Sequence, residues 1–138
     1  MSSAEAVGLR VQTIDHITLV VKDLDRSRHF YQDLLGMDPV PRPAFGFPGL
    51  WFQCGGTQIH MNVEGPEAGP AGLPPFEGHS PSRGFHFAFE VASCDEAARQ
   101  LRDLGVEIVT GPRSRPDGAR QVYIYDPDRY LVELTSPQ

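Results

Sequence analysis

FHFAFEVASCDEAARQLRDLGVEIV, residues 85–109, holds a strand, a helix and the start of a second strand, and its reading decides the fold. Phe85, Phe87, Phe89 and Val91 alternate with His86, Ala88 and Glu90, the two-residue period of a strand with one face on a core. Ser93 and Glu96 then stand at the S-x-x-E spacing of a capping box, so a helix begins there. Cys94, Ala97, Leu101 and Leu104 recur at helical spacing as its buried stripe, and Gly105 supplies the left-handed stop. A histidine on the polar side of so apolar a strand is, taken alone, an ordinary core or edge residue with a hydrogen-bonded ring.

The same pattern occurs earlier, in DHITLVVKDLDRSRHFYQDLLGMDPV, residues 15–40. Asp23 takes the N-cap position. Leu24, Ser27, Phe30, Tyr31, Leu34 and Leu35 follow at helical spacing, and Gly36 ends the helix. His16 precedes Asp23 by the interval that separates His86 from Ser93. Three strand-like runs follow each helix, at about 37–42, 49–54 and 57–64, and at about 106–110, 119–126 and 130–135. Each half therefore reads β-α-β-β-β. The expected organisation is one domain over 1–138, with module one at about 13–64 and module two at about 83–136. Between them, GPEAGPAGLPPFEGHSPS (65–82) is too rich in Pro and Gly for regular structure and reads as a linker or a loop over a site.

The bulk composition narrows the function. The 138 residues are 40% hydrophobic and 22% charged, the mix of a globular domain with a real core. The net charge of −6 argues against a broad nucleic-acid or anionic-membrane surface, because phosphates need a positive face. No run approaches the ~18–20 apolar residues that span a bilayer, and MSSAEAVGLR lacks the basic start and apolar core of a signal peptide. A cytoplasmic protein is expected. Cys54 and Cys94 make neither a disulfide framework nor a CxxC metal site.

Alternation assigns faces. Ile17, Leu19 and Val21 turn toward the first helix, leaving His16, Thr18 and Val20 on the opposite side. Likewise His60 opposes Ile59 and Met61, His86 opposes Phe87, and Glu133 opposes Val132 and Leu134. Each half thus places one candidate ligand near the start of its first strand and one inside its last. Ionisable groups gathered on an inner face are costly unless paired or metal-bound. His16, His60, His86 and Glu133 together make a metal site a cheaper account than four independently satisfied side chains.

With these motifs the chain resembles the vicinal oxygen chelate superfamily: glyoxalase I, fosfomycin-resistance proteins, methylmalonyl-CoA epimerase, extradiol dioxygenases and bleomycin-resistance proteins. The resemblance covers residues 13–135 and rests on the segment from Asp15, on GGTQIHM (55–61), on GFHFAFEV (84–91) and on YIYDPDRYLVELT (123–135). It implies an α+β fold in which two βαβββ modules form a curved mixed-sheet cup with helices outside. It also implies one divalent metal held by His16, His60, His86 and Glu133, and a homodimer in which some members build each site from modules of two chains. Two departures stand out. Glyoxalase I commonly has an acidic residue at the position of His60, and the usual Asp-Pro-Asp-Gly turn reads DPDR here, with Arg129 replacing glycine.

Three neutral imidazoles and one carboxylate leave about one net positive charge on a divalent ion, by charge counting. That suits an enediolate or another oxyanion. The implied activity is a metal-dependent lyase, isomerase or transferase acting on a small substrate that chelates through two neighbouring oxygens. Zn, Ni, Co, Mn and Fe all accept the set. The carboxylates for proton transfer are Glu133 and Glu90, with a solvated rim as the plainer account of Glu90. If His60 only supports the ligands, His16, His86 and Glu133 match an Fe(II) extradiol-type dioxygenase. The third alternative is a drug-binding protein of the bleomycin-resistance type, its cup lined by Trp51, Phe52, Tyr123 and Tyr125. His29 reads as a surface residue and His79 as a solvated loop residue. Arg113 and Arg115 read as an exposed turn, or as contacts for an anionic substrate.

Overall fold

The computed structural model describes residues 8–73 and 81–137. Its elements run β1 (His16–Val21), α1 (Leu24–Arg28) continuing as a π-helical turn (His29–Leu34), β2 (Asp38–Pro39), β3 (Gly49–Cys54) and β4 (Thr57–Val63). After a short 3-10 turn at Pro81–Arg83 come β5 (Phe87–Glu90), α2 (Cys94–Asp103), β6 (Thr110–Ser114), β7 (Arg120–Tyr125) and β8 (Leu131–Ser136). The result is an α+β fold of two four-stranded mixed sheets, ordered β1-β4-β3-β2 and β5-β8-β7-β6. In each, the first strand lies parallel to the last, His16–Val21 on Gln58–Val63 and Phe87–Glu90 on Val132–Thr135. The interval 74–80, which holds seven residues of the Pro-rich linker including His79, and the N-terminal residues 1–7 lie outside the described residues.

Local signals set the helix ends. The Asp23 carboxylate accepts from the Arg26 amide, and the Ser93 hydroxyl accepts from the Glu96 amide. Gly36 and Gly105 take positive φ, 75° and 77°. Glu96 does not close the expected capping box, because its carboxylate pairs with Arg99 instead. In α2 the buried residues are Cys94, Ala98 and Leu101. Leu104, expected in the stripe, is 67% exposed because it sits at the C-cap, where the chain leaves the helix.

Several strand boundaries shift. β6 begins at Thr110 rather than covering 106–110, since Val106 and Ile108 pack under the core instead of pairing. β2 shrinks to Asp38–Pro39. β5 starts at Phe87, and Phe85, expected on the helix side, is 62% exposed ahead of it. Phe52 belongs to the core and not to a cup lining, for it is fully buried on the helix side of β3. The DPDR turn keeps the backbone a glycine would take. Arg129 has φ 68°, a conformation costing about 1 kcal/mol for an ordinary residue. Its guanidinium lies 4.2 Å from the Tyr125 ring, a cation–π contact that offsets part of that cost.

The helix-side residues of both sheets form one continuous core that includes Leu19, Tyr31, Phe52, Met61, Val122 and Leu134. Each such buried side chain contributes about 1.5–3 kcal/mol. Polar bonds between modules accompany it. The Tyr31 hydroxyl donates to Asp126 (2.8 Å), Arg26 donates to Asp128 (2.9 Å), and the Tyr130 hydroxyl donates to the Val20 carbonyl (2.8 Å). β1 and β5 are both edge strands, and between them lies an apolar cleft of about 950 Å³ lined by Ile17, Leu19, Ile59, Phe87 and Phe89.

Burial pushes the Asp126 carboxyl up to about 6, against the pull of Tyr31 and of the Asp128 and Tyr130 amides that donate to it. The native state therefore keeps a proton that the unfolded chain, with a carboxyl near 3.8, releases earlier. This stabilisation is complete below the unfolded value and is lost as pH rises through about 6; it amounts to about 3 kcal/mol. Urea unfolding of the protein and of Asp126→Asn, which cannot ionise, tests this. Between about pH 4 and about pH 7.5 the parent should lose about 2.5 kcal/mol relative to the variant. Parallel pH profiles would contradict it.

Candidate functional site

Because the core lies on the helix side, the opposite face of each sheet carries the candidate ligands. On the first sheet β4 lies between β1 and β3, and His60 is the direct cross-strand partner of both Thr18 and Trp51. The rings consequently stack. Trp51 lies flat on His60 with centroids 3.9 Å apart and planes 1° apart, and His16 covers the other face at 4.0 Å. His16 is exposed and His60 is buried. Burial first, then the neighbouring His16, holds the His60 imidazole below its usual range; Arg42 adds to this and Asp15 opposes it. His60 is thus a neutral donor at neutral pH.

The hydrogen-bond network fixes which nitrogen is free. The Gly55 carbonyl can only accept, so the Gln53 amide nitrogen donates to it (2.7 Å). The Gln53 oxygen then accepts from the Gln58 amide nitrogen (3.2 Å), and the Gln58 oxygen accepts from His60 Nε2 (2.8 Å). His60 therefore keeps its lone pair on Nδ1. His16 Nδ1 donates to the Asp15 carboxylate at 2.8 Å, which leaves Nε2 for a ligand.

On the second sheet His86, immediately before β5, meets Glu133 of β8. His86 Nδ1 donates to the Gly84 carbonyl at 2.9 Å, so Nε2 bears the lone pair. That Nε2 faces Glu133 Oε1 at 3.0 Å. A lone pair and a carboxylate oxygen repel at this distance unless a proton or a cation lies between them. Glu133 Oε2 accepts from Gln121 at 3.2 Å, and the same amide reaches the Tyr123 hydroxyl at 3.2 Å. Burial first, then bonding to Glu133, raises the Tyr123 phenol above its usual range, and Arg113, whose guanidinium lies 5.6 Å from the ring, opposes this.

The structure thus forms two pairs, His16 with His60 and His86 with Glu133. Among the described residues no three His, Cys, Asp or Glu side chains gather closely enough to hold a metal. Glu90 joins neither pair; it is exposed at the far end of β5, about 13 Å along the strand from His86. His29 is a surface residue bonded to Asp33, and Arg115 pairs with Asp117 in an exposed turn. Sequence reading missed Asp15, Gln58 and Gln121. The available signals were adjacency to His16 and the i, i+2 spacing of Gln58 with His60 and of Gln121 with Tyr123. Each of the three rings is oriented by an acceptor, and His86 and Glu133 are bonded to each other, so the donor set would suit a divalent cation that displaced the proton between them.

No helix among the described residues is long and apolar enough to cross a membrane. A family model described as Glyoxalase/Bleomycin resistance protein/Dioxygenase superfamily matches residues 13–134. Glyoxylase I 4 of Arabidopsis thaliana is 28% identical over 130 residues, which span 91% of this chain and 71% of that protein. Glutathione transferase FosA of Serratia marcescens is 32% identical over 126 residues, 90% of this chain and 80% of that protein. The crystal structure of a glyoxalase/dioxygenase from Nostoc punctiforme superposes with a TM-score of 0.74 at 27% identity and covers 92% of both chains. With two βαβββ modules and a match across most of its length, the chain belongs to the glyoxalase/bleomycin resistance protein/dioxygenase superfamily.

Proposed function

We propose that this protein is a metal-dependent enzyme of the glyoxalase type, a lyase, isomerase or transferase, whose small substrate chelates through two neighbouring oxygens. The observation that carries the reading is the pairing of His86 with the buried Glu133, Nε2 to Oε1 at 3.0 Å, on the sheet face turned from the core: a proton bridges the two, and a divalent cation could take its place. His16, His60, His86 and Glu133 would hold one divalent cation, Zn, Ni, Co, Mn or Fe, which supplies Lewis-acid polarisation of a carbonyl or hydroxyl pair. The two pairs sit on different sheets, on faces turned from the shared core. The full set is therefore taken from two copies of the chain, His16 and His60 from one and His86 and Glu133 from the other. Closure of a dimer over the apolar β1–β5 cleft would also cover Phe85 and Ile14, large side chains left exposed in one copy.

Glu133 is the proton carrier in this scheme. Gln121 holds one of its oxygens and keeps the carboxylate oriented, while the other faces His86 and would have to leave the metal to carry a proton. Tyr123, held protonated, offers a hydrogen bond beside it, and Arg113 offers charge to an anionic substrate. Glu90, at the far end of β5 from His86, is a rim carboxylate outside this proton step. A second reading has its own observation. His60 is clamped between two rings and bonded to Gln58, as befits a residue that supports the ligands instead of joining them. His16, His86 and Glu133 alone then fit an Fe(II) dioxygenase.

Metal content of untagged protein purified without chelators separates these readings. The expected value is about one divalent ion per chain, with affinity lowered by more than about a hundredfold in His60→Ala, beyond what loss of an orienting neighbour costs. Retention of iron within that limit favours the dioxygenase. Mixing tests the shared site. His16→Ala and Glu133→Gln chains should each bind poorly, and co-refolding equal amounts should restore about a quarter of the parent metal content, since half the dimers then carry one intact site. No recovery would rule out a site shared between copies.

A further inference from the structure

We propose that the substrate carries a flat unsaturated ring beside its chelating oxygens, and that Phe45 and Trp51 hold that ring; this rests on the metal-site reading above. The connection between β2 and β3 supplies the evidence. Phe45 and Phe47 are large apolar side chains, yet they are 47% and 51% exposed. They are not loosely placed. The Arg42 guanidinium lies 4.8 Å from the Phe45 centroid and 4.9 Å from that of Phe47, and its Nη1 donates to the Phe47 carbonyl at 2.9 Å. A Cβ at Gly49 would stand 2.8 Å from the Arg42 Cζ and 2.6 Å from the Met61 carbonyl oxygen, so glycine is needed for the guanidinium to lie there. Arg42 Nε and Nη2 are buried without hydrogen-bond partners among the described residues. Leaving two donors unmet is unfavourable, and the geometry they accept fixes both phenyl rings. Arg42 is a positioning residue.

The fixed rings lead to the ligand nitrogens. Phe45 lies 6.0 Å from Trp51, Trp51 lies flat on His60, and His60 lies flat on His16. Phe45, Trp51, His60 and His16 line one pocket of about 510 Å³, within the range of small-molecule sites. Asp15, Gln53 and Gln58 make its remaining wall polar. A molecule with its oxygens toward His16 and His60 must therefore extend along Trp51 and Phe45. His60 covers one face of Trp51, and Arg42 and Phe47 pack on Phe45, so an aliphatic chelator would leave the exposed remainder of the two rings wet, whereas a conjugated ring would cover it in the tilted or edge arrangement aromatic pairs accept. A small molecule suits this pocket, because Phe45 and Trp51 lie at one end of it and the nitrogens of His16 and His60 and a polar wall at the other.

Two hydroxamates provide the test, because acetohydroxamate and benzohydroxamate share one chelating group and differ by a ring. Full-length protein loaded with Co²⁺ is titrated with each by calorimetry and by the emission of Trp51, the one tryptophan in the chain. Benzohydroxamate should bind about tenfold more tightly, and the advantage should fall to about twofold in Phe45→Ala and Arg42→Ala while surviving in Phe45→Tyr. Metal content should be the same in all four proteins. Equal affinities in the parent, or an advantage unchanged in Phe45→Ala, would overturn the proposal. Failure of the metal reading looks different, since neither chelator would then respond to added metal. In that event metal-free protein decides: quenching of Trp51 by benzohydroxamate alone supports the ring pocket, and silence toward both compounds ends it.

Discussion

The turn between β7 and β8 fastens the two modules to each other. Asp126 and Asp128 are buried there, and they accept from Tyr31, Arg26 and Ser27 of the first helix as well as from their own turn. Buried carboxylates are tolerable only with their lone pairs engaged, and here the partners come from a segment about a hundred residues away. The first helix, packed on its own sheet, is thereby tied to the turn of the second module. Phe30 and Tyr31 enter a core shared by both modules, and each sheet must turn its other face outward.

That outward turn explains the form of the site. A histidine pair stands on one sheet, a histidine and a glutamate on the other, and the shared core separates them. Each pair is complete in its orienting bonds. Backbone carbonyls, at Gly55 through two glutamines and at Gly84 directly, dictate which nitrogen bears hydrogen. The electron pairs are set before any ligand arrives, which lowers the cost of binding one. The same economy governs the aromatic wall, where Arg42 fixes two phenyl rings that solvent alone would leave mobile.

Much of this was legible in the sequence because it is local or periodic. Asp23, Ser93, Gly36 and Gly105 mark helix ends through bonds and dihedrals a few residues long. The two-residue alternation correctly put His16, His60, His86 and Glu133 on the side away from the helices, and the repeat paired them. What escaped depends on where strands lie relative to one another. Val106 and Ile108 read as a strand, and their burial comes from the core instead. The stacking of Trp51 on His60 follows from the β3–β4 register, which no local pattern states. Gln121 acquires its role only because Tyr123 lies opposite Glu133.

The π-helical turn at His29–Leu34 has a further consequence. Its extra residue per turn displaces everything beyond it by about 100° from the course of a regular helix. The second helix contains no such turn; it is α-helical from Cys94 to Asp103. Deleting one residue from the first would swing Tyr31 or its neighbours away from Asp126, while the strands on either side stayed in register. The halves still repeat in outline but have lost their equivalence. A copy of the second module grafted in place of the first would bring a histidine and a glutamate to the equivalent strands and no tyrosine to bind the buried turn. The two modules are therefore not interchangeable at this helix, although their strands follow one plan.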